Sequence, residues 1–238
     1  MIAQIGLFKK RKRIIHGSAS KIFGDFSLSN KSHLKNQQKL LKKLKINQFP
    51  LVQAHQVHQD NIALVSGPTP LIIDRADGLI TREKNLTIGV RSADCLPIIY
   101  YEPKKKIIAI VHAGWRGILA NLPQKMVKAI ASLGGEISKI IVGIGPHIGL
   151  CCYSVGAIIA NQFAQKFTNP NLIARRDGRL FLNLASACQE QLENSGIKKN
   201  NLGISNICTG CQSQNWWSYR QKDKIRGNML TVICQTDG

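Results

Sequence analysis

Ile107-Ile108-Ala109-Ile110-Val111-His112-Ala113-Gly114-Trp115-Arg116-Gly117 is the stretch on which the fold turns. Its first five residues are all apolar and four are β-branched. The run reads as a short β-strand, and Ile140 to Ile144 further on, apolar and β-branched, reads as a buried one. His112 follows at once, and Gly114 and Gly117 mark a turn out of the sheet. Ile118 to Leu133 then reads as a helix, with Gly134-Gly135 as its stop. Outward in both directions lie further strand-like runs at Phe49 to Val57, Asn61 to Ser66, Leu86 to Arg91, Pro97 to Tyr101 and Ile140 to Ile144. Between and around them, helical patterns fall on residues 31–45, with Leu34, Leu40, Leu41 and Leu44 near helical spacing, on Val155 to Phe167 and on Asn183 to Asn194. Strands and helices mix without a regular βαβ repeat. The expectation is an α+β, irregular mixed α/β fold: a central mixed sheet, or two packed sheets, flanked by helices. No linker, repeat or composition shift divides the chain, so residues 1–238 read as one domain.

Composition narrows the function classes. With 44% apolar residues in 238, the chain is too hydrophobic to be disordered and long enough for a substantial core. No apolar run reaches the roughly 18 residues of a membrane span. At the start, the charges of Lys9 to Arg13 follow the apolar residues, the reverse of a secretory leader. Seven cysteines, an odd number without framework spacing, suit a reducing compartment. The expected location is the cytoplasm. The net charge of +20 would attract polyanions, but the basic residues are scattered over Lys9 to Arg13, Lys42 to Lys45, Lys104 to Lys106, Lys198-Lys199 and Lys222 to Arg226. No nucleic-acid-binding motif accompanies them, which argues against such a partner.

Five phrases stand at or just beyond predicted strand ends: Gln56-Val57-His58, Ala76-Asp77-Gly78, Ser92-Ala93-Asp94-Cys95-Leu96-Pro97, His112-Ala113-Gly114-Trp115-Arg116-Gly117 and Gly143-Ile144-Gly145-Pro146-His147-Ile148-Gly149. Loops held by a rigid sheet are where binding residues collect. If the strands Leu86 to Arg91 and Ile107 to Val111 pair, Cys95 and His112 converge. Zinc accepts imidazole and thiolate together, and three protein ligands leave a fourth position open, as in a catalytic site. His55 competes with His58 as the third donor. On an extended segment the odd spacing turns the two to opposite faces, and His58 sits nearer the strand end. The pair Cys208-Thr209-Gly210-Cys211 has no second pair at zinc-ribbon spacing. Cys151, Cys152, Cys188 and Cys234 read as small buried hydrophobes.

Taken together, the phrases resemble the YfiH or laccase-domain family, once called multicopper polyphenol oxidases. Its pattern runs from a QVHG phrase through ADCLP and HAGWRG to G-x-G-P-x-I-G. Near the start, His16-Gly17 and Gly24 fit its early strand and loop. Near the end, Cys208-Thr209, Ser218-Tyr219-Arg220 and Arg226-Gly227-Asn228-Met229 fit its closing phrases. The resemblance covers nearly the whole chain. It departs at Gln59, where the family has glycine, and at Ser154, where glutamate is frequent. The resemblance implies that His58, Cys95 and His112 are the zinc ligands and catalytic centre. It also implies an enzyme on purine nucleosides, phosphorolysing adenosine, inosine or methylthioadenosine and deaminating adenosine. Members are also described as peptidoglycan editing factors, so a cell-wall-precursor hydrolase using the same zinc is an alternative.

Within that scheme Asp94 is the nearest acid–base candidate, or else an acceptor that orients a ligating histidine. Arg116 and Arg91 are candidates for phosphate, with a surface ion pair as the competing reading of Arg91. Trp115 reads as a packed core residue, and Trp216-Trp217 as partly buried. The glycines of the 143–149 loop could let amides approach an anion. Copper is disfavoured: a blue-copper centre uses two histidines, a cysteine and an axial methionine, and the chain has three methionines, one of them Met1.

Overall fold

The computed structural model describes residues 1–68, 71–220 and 226–237; of the basic run at 222–226, only Arg226 lies within them. Its centre is two six-stranded mixed sheets packed face to face. In spatial order the first sheet comprises Ile2–Ala3, Ile14–Ala19, Met229–Gln235, Thr87–Ser92, Leu51–Ala54 and Ile72–Ile73. The second comprises Leu202–Ile204, Ile141–Ile144, Leu96–Glu102, Ile107–Ala113, Gly78–Thr81 and Ile62–Leu64. A small third sheet joins Ser154–Val155, Arg179–Leu182 and Ile173–Arg176. Among the described residues six helices flank them: Gly6–Lys9, His33–Leu44, Trp115–Leu119, Leu122–Ser132, Ala157–Lys166 and Leu184–Asn194. The mixed α/β class is therefore as expected, in its two-sheet form.

Side-chain alternation explains the layering. Along Ile107–Ala113, the residues Ile108 and Ile110 enter the core between the sheets, while Ile107, Ala109, Val111 and Ala113 enter the core beneath the helices. Both faces are dry, which is why the segment is apolar without interruption from Ile107 to Val111. The first sheet works the same way. Ile233 faces inward, whereas Leu230, Val232 and Cys234 meet Leu40, Leu41 and Leu44 of the helix His33–Leu44. Leu34, expected on that apolar face, is exposed at the first turn. The helix expected over Ile118 to Leu133 is two. Asn121, at φ 62°, breaks the rise, and Pro123 restarts it in the first turn, where its missing N–H costs nothing.

One expected pairing is absent. Thr87–Ser92 and Ile107–Ala113 lie in different sheets. Cys95 approaches His112 by another route: it closes the turn into Leu96–Glu102, which is the true partner of Ile107–Ala113, with Leu96 opposite Ala113 and Pro97 opposite His112. Among the described residues no helix is long and apolar enough to cross a membrane.

Candidate metal centre

Three strand ends meet at one rim of the sheets. His112 closes the central strand of the second sheet. Cys95 precedes its antiparallel neighbour. His58 follows Leu51–Ala54 of the first sheet. The ligand-capable atoms of His58, Cys95 and His112 all lie within 4.8 Å of one another, and the two imidazoles stand edge to face at 4.8 Å between centroids. His55 is exposed and bonds Asp74 at 2.7 Å, away from this group. The choice of His58 rests on a turn rather than on strand alternation, since the strand has ended at Ala54.

That turn is held by Asp77. Its carboxylate is fully buried and accepts the amides of Val57 at 3.2 Å, His58 at 3.1 Å and Gln59 at 2.8 Å. The same group meets Nδ1 of His112 at 3.0 Å. Register explains the placement. Gly78 pairs with Val111, so Asp77 stands opposite His112, and its carbonyl also accepts the His112 amide at 2.7 Å. With Nδ1 donating to a carboxylate, Nε2 of His112 is left to face Cys95. The left-handed backbone of this loop falls on His58, at φ 59°, and not on Gln59, so the departure from glycine at 59 brings no strain.

Electrostatics match the geometry. Burial alone would raise the Cys95 thiol, but the charge of His112 and the bonds from His112 and His58 outweigh it and bring the thiol down to about 6. Burial likewise opposes protonation of His112, yet Cys95 and Asp77 raise it to about 9. Gly114 keeps the space open, since a Cβ there would stand 3.0 Å from Cys95 Sγ.

The trio opens into a cavity of about 460 Å³ lined by Gln56, Arg91, Asp94, Trp115, Arg116 and Tyr153, with Arg220 and Asn228 at its edge. A wider depression of about 670 Å³ lies elsewhere, beside Cys151 and Cys208, so size alone would misplace the site. Arg116 is exposed and stacks on Trp115 at 4.3 Å, and Trp115 is half-buried in the wall, not sealed in the core. Arg91 is buried, so the surface ion pair is wrong for it. Its guanidinium donates to Gln53 Oε1 at 3.1 Å and to the Ala54 carbonyl at 2.8 Å. Asp94 is buried at φ 87° and accepts from Thr209 Oγ1 at 2.6 Å and the Arg220 amide at 3.0 Å. Orientation of His112 falls to Asp77, not to Asp94. Gln56, Tyr153 and Arg220 had no role in the sequence reading. Gln56 lay in a strand-end phrase and Arg220 in the closing Ser218-Tyr219-Arg220 phrase.

Around this site the sequence reading of other residues divides. Cys188 and Cys234 are fully buried, as expected, whereas Cys151 is exposed and Cys152 half-buried. Trp216 is fully buried, and Trp217 donates to the Gly24 carbonyl at 3.1 Å. The amides of the 143–149 loop serve the protein itself: Ile148 donates to the Asp94 carbonyl at 2.9 Å and Gly149 to Cys208 Sγ at 3.2 Å. His147 is buried against the Gly145 carbonyl.

Two histidines and a cysteine converge from three strand ends of a two-sheet scaffold with a cavity on the open side, the donor types and number that could hold a metal ion. Residues 25–236 match the family described as multi-copper polyphenol oxidoreductase laccase, and the chain belongs to it. It is 32% identical over 182 residues to a purine nucleoside phosphorylase of Clostridium acetobutylicum, covering 76% of this chain and 75% of that one. An adenosine deaminase from an unknown prokaryotic organism is 27% identical over 194 residues, 77% of this chain and 74% of its own. The fold is that of the hypothetical protein YfiH of Bacillus licheniformis, with a TM-score of 0.87 at 24% identity over 96% of this chain and 94% of that one.

Proposed function

We propose that the chain is a cytoplasmic, zinc-dependent enzyme of purine nucleosides, phosphorolysing adenosine or a related nucleoside and deaminating adenosine. The observation that carries this reading is the His58–Cys95–His112 trio at the mouth of a cavity with arginines on its wall. The names of the two relatives supply the substrate class.

The donor set fits zinc. One thiolate and two imidazoles suit a borderline-soft ion, Asp77 fixes the His112 tautomer, and the fourth side faces the cavity. Copper as an electron-transfer centre fits less well: neither Met126 nor Met229 lines the cavity to serve as axial ligand. When bound, zinc supplies Lewis-acid polarisation and water that is nucleophilic near neutral pH. The chain supplies the rest. Arg116, stacked on Trp115 at the opening, offers a planar fork to a phosphate oxygen pair. Arg91 adds positive charge from the cavity floor while its own position is pinned by Gln53 and Ala54. Trp115 and Tyr153 give the base flat walls. Asp94, on the cavity surface, passes the proton that the leaving purine or amine requires, and its bonds to Thr209 and Arg220 aim it.

The test is incubation of zinc-loaded protein with adenosine, with and without phosphate, following inosine, adenine and hypoxanthine by chromatography. Free adenine only with phosphate shows phosphorolysis, and inosine without it shows deamination. Both should fall by orders of magnitude in Cys95→Ala, together with loss of the metal at that site. A fully metallated wild type that turns over neither would sink the nucleoside reading.

A further inference from the structure

A second cluster lies apart from the cavity's catalytic trio. The sulfurs of Cys151, Cys152, Cys208 and Cys211 all fall within 4.8 Å of one another. Cys151 is 3.4 Å from Cys208 and 3.2 Å from Cys211, and Cys211 is also 3.4 Å from Cys152. A tetrahedral ion with bonds of about 2.3 Å sets its four sulfurs roughly 3.8 Å apart, inside this range. Disulfides would divide the four into two exclusive pairs at about 2.05 Å. Here Cys151 and Cys211 each touch two partners, so the arrangement has one centre and not two bonds.

We propose that these four cysteines hold a single zinc ion as a closed, four-thiolate structural site. Its supports resemble those of known thiolate centres in kind. Cys208 Sγ accepts the amides of Gly149 at 3.2 Å and Cys211 at 3.5 Å, which favours the anionic sulfur. Cys208 and Cys211 have the C-x₂-C spacing that lets one turn present two sulfurs. Cys151 and Cys152 are adjacent, and in a strand they would face apart. They occupy a turn instead: the amides of Cys152 and Tyr153 both fold back to the Gly149 carbonyl, at 3.0 and 3.1 Å. Gly210 gives the room this needs, because a Cβ there would stand 2.6 Å from Cys152 Cβ.

The place of the cluster states its purpose. It joins the 145–153 loop to the 205–212 loop, where Thr209 donates to the His147 carbonyl at 2.9 Å. Tyr153, beside Cys152, lines the catalytic cavity, and Thr209, beside Cys208, holds Asp94. The ion staples the outer wall of the cavity from behind, in a region otherwise short of regular secondary structure. A multi-iron cluster would interpose iron and sulfide and spread the thiolates further than they stand.

The experiment counts metal. Protein purified under reducing conditions, equilibrated with zinc and desalted, is analysed by inductively coupled plasma mass spectrometry. Wild type should hold two zinc ions per chain, Cys95→Ala one, and Cys151→Ser/Cys211→Ser one. Cys95→Ala leaves the four cysteines untouched, so the proposal does not depend on the folding of the double variant. Loaded with cobalt, Cys95→Ala should show the intense near-ultraviolet charge-transfer band of four thiolates. One zinc in both wild type and Cys95→Ala would support this site while removing the catalytic zinc. No zinc in Cys95→Ala, disulfides among the four in the reduced-purified protein, or iron at this position would overturn the proposal.

Discussion

The two sulfur-bearing clusters flank the 93–94 and 208–209 junction and are built on opposite plans. The His58–Cys95–His112 trio draws its donors from three separate strand ends, mixes nitrogen with sulfur, leans on a buried carboxylate and faces a cavity. The Cys151–Cys152–Cys208–Cys211 group draws on two loops, uses sulfur alone, leans on backbone amides and leaves no donor position vacant. Donor number separates the plans: three invite a substrate or water, four exclude both. Support separates them too. A carboxylate fixes a tautomer and tunes reactivity, whereas amide bonds to sulfur only stabilise a charge.

The comparison breaks most sharply on loss of one sulfur from each. Cys95→Ala should lower kcat/KM on adenosine by on the order of 10³-fold, the several kcal/mol that a Lewis-acid ion supplies. Its thermal midpoint should move little. Cys211→Ser should do the reverse, lowering the midpoint by several degrees while the folded enzyme keeps kcat/KM within a few-fold. Equal losses of activity in the two variants would erase the distinction.

Acid strips metal from both plans, so the acid lability of the fold itself has to be known first. Part of it resides in His16. Burial, with help from the charge of Lys9, lowers this group to about 4. The folded value lies below the unfolded value of about 6.5, so between those pH values the unfolded chain binds a proton that the folded one refuses. The stabilisation is complete above pH 6.5 and shrinks as pH falls, by roughly 3 kcal/mol at pH 4. Urea midpoints of metal-free protein at pH 7 and 4.5 should show this slope in wild type, and His16→Gln should flatten it. An equal slope in the variant would assign the lability elsewhere.

The contrast between the clusters is also a contrast in legibility. The trio could be read because each donor ends an apolar run or opens a glycine turn, and because the phrases around it resemble a family. The four-sulfur group could not: its halves lie more than fifty residues apart, and an adjacent Cys-Cys pair signals nothing until a turn brings both sulfurs to one side. The same division holds for the fold. Ile107–Ala113 and Leu96–Glu102 are plain in the sequence, since strands dry on both faces carry unbroken apolar runs. Which strands pair is not plain, and Thr87–Ser92 proved to belong to the other sheet, between Met229–Gln235 and Leu51–Ala54. The sheet of Ile173–Arg176 and Arg179–Leu182 is arginine-rich and half exposed, so it has no apolar period to betray it. Asp77 stood in view as a strand-end residue, but its role depends on register, which places it opposite His112.

Asp77 sharpens the comparison next. It ties the His58 turn to the His112 ring, so Asp77→Asn sets an amide against at least one of the N–H groups that the carboxylate now accepts. Zinc affinity at the trio should fall about 10- to 100-fold, the usual cost of losing a carboxylate behind a ligating histidine. The four-thiolate site should be unaffected. Competition with a chromophoric chelator resolves the two sites by affinity, and a parallel loss at both would mean that Asp77 merely holds up the fold.

The smallest effect concerns a side-chain bond that links the clusters. Thr209 is fully buried beside Cys208, and its hydroxyl donates to Asp94 Oδ1 at 2.6 Å, beside Cys95. Valine keeps the shape and removes the donor, leaving a buried carboxylate oxygen short of a partner, at a cost of about 1–3 kcal/mol in stability. Both metals should stay bound, because neither loses a ligand. If the four-thiolate loop aims Asp94 through this hydroxyl, Thr209→Val should lower kcat several-fold with KM little changed and displace the pH profile of kcat, while Thr209→Ser, which keeps the donor, restores both. A loss of stability with an unaltered pH profile would make the two clusters neighbours without communication, and the staple would then serve the fold alone.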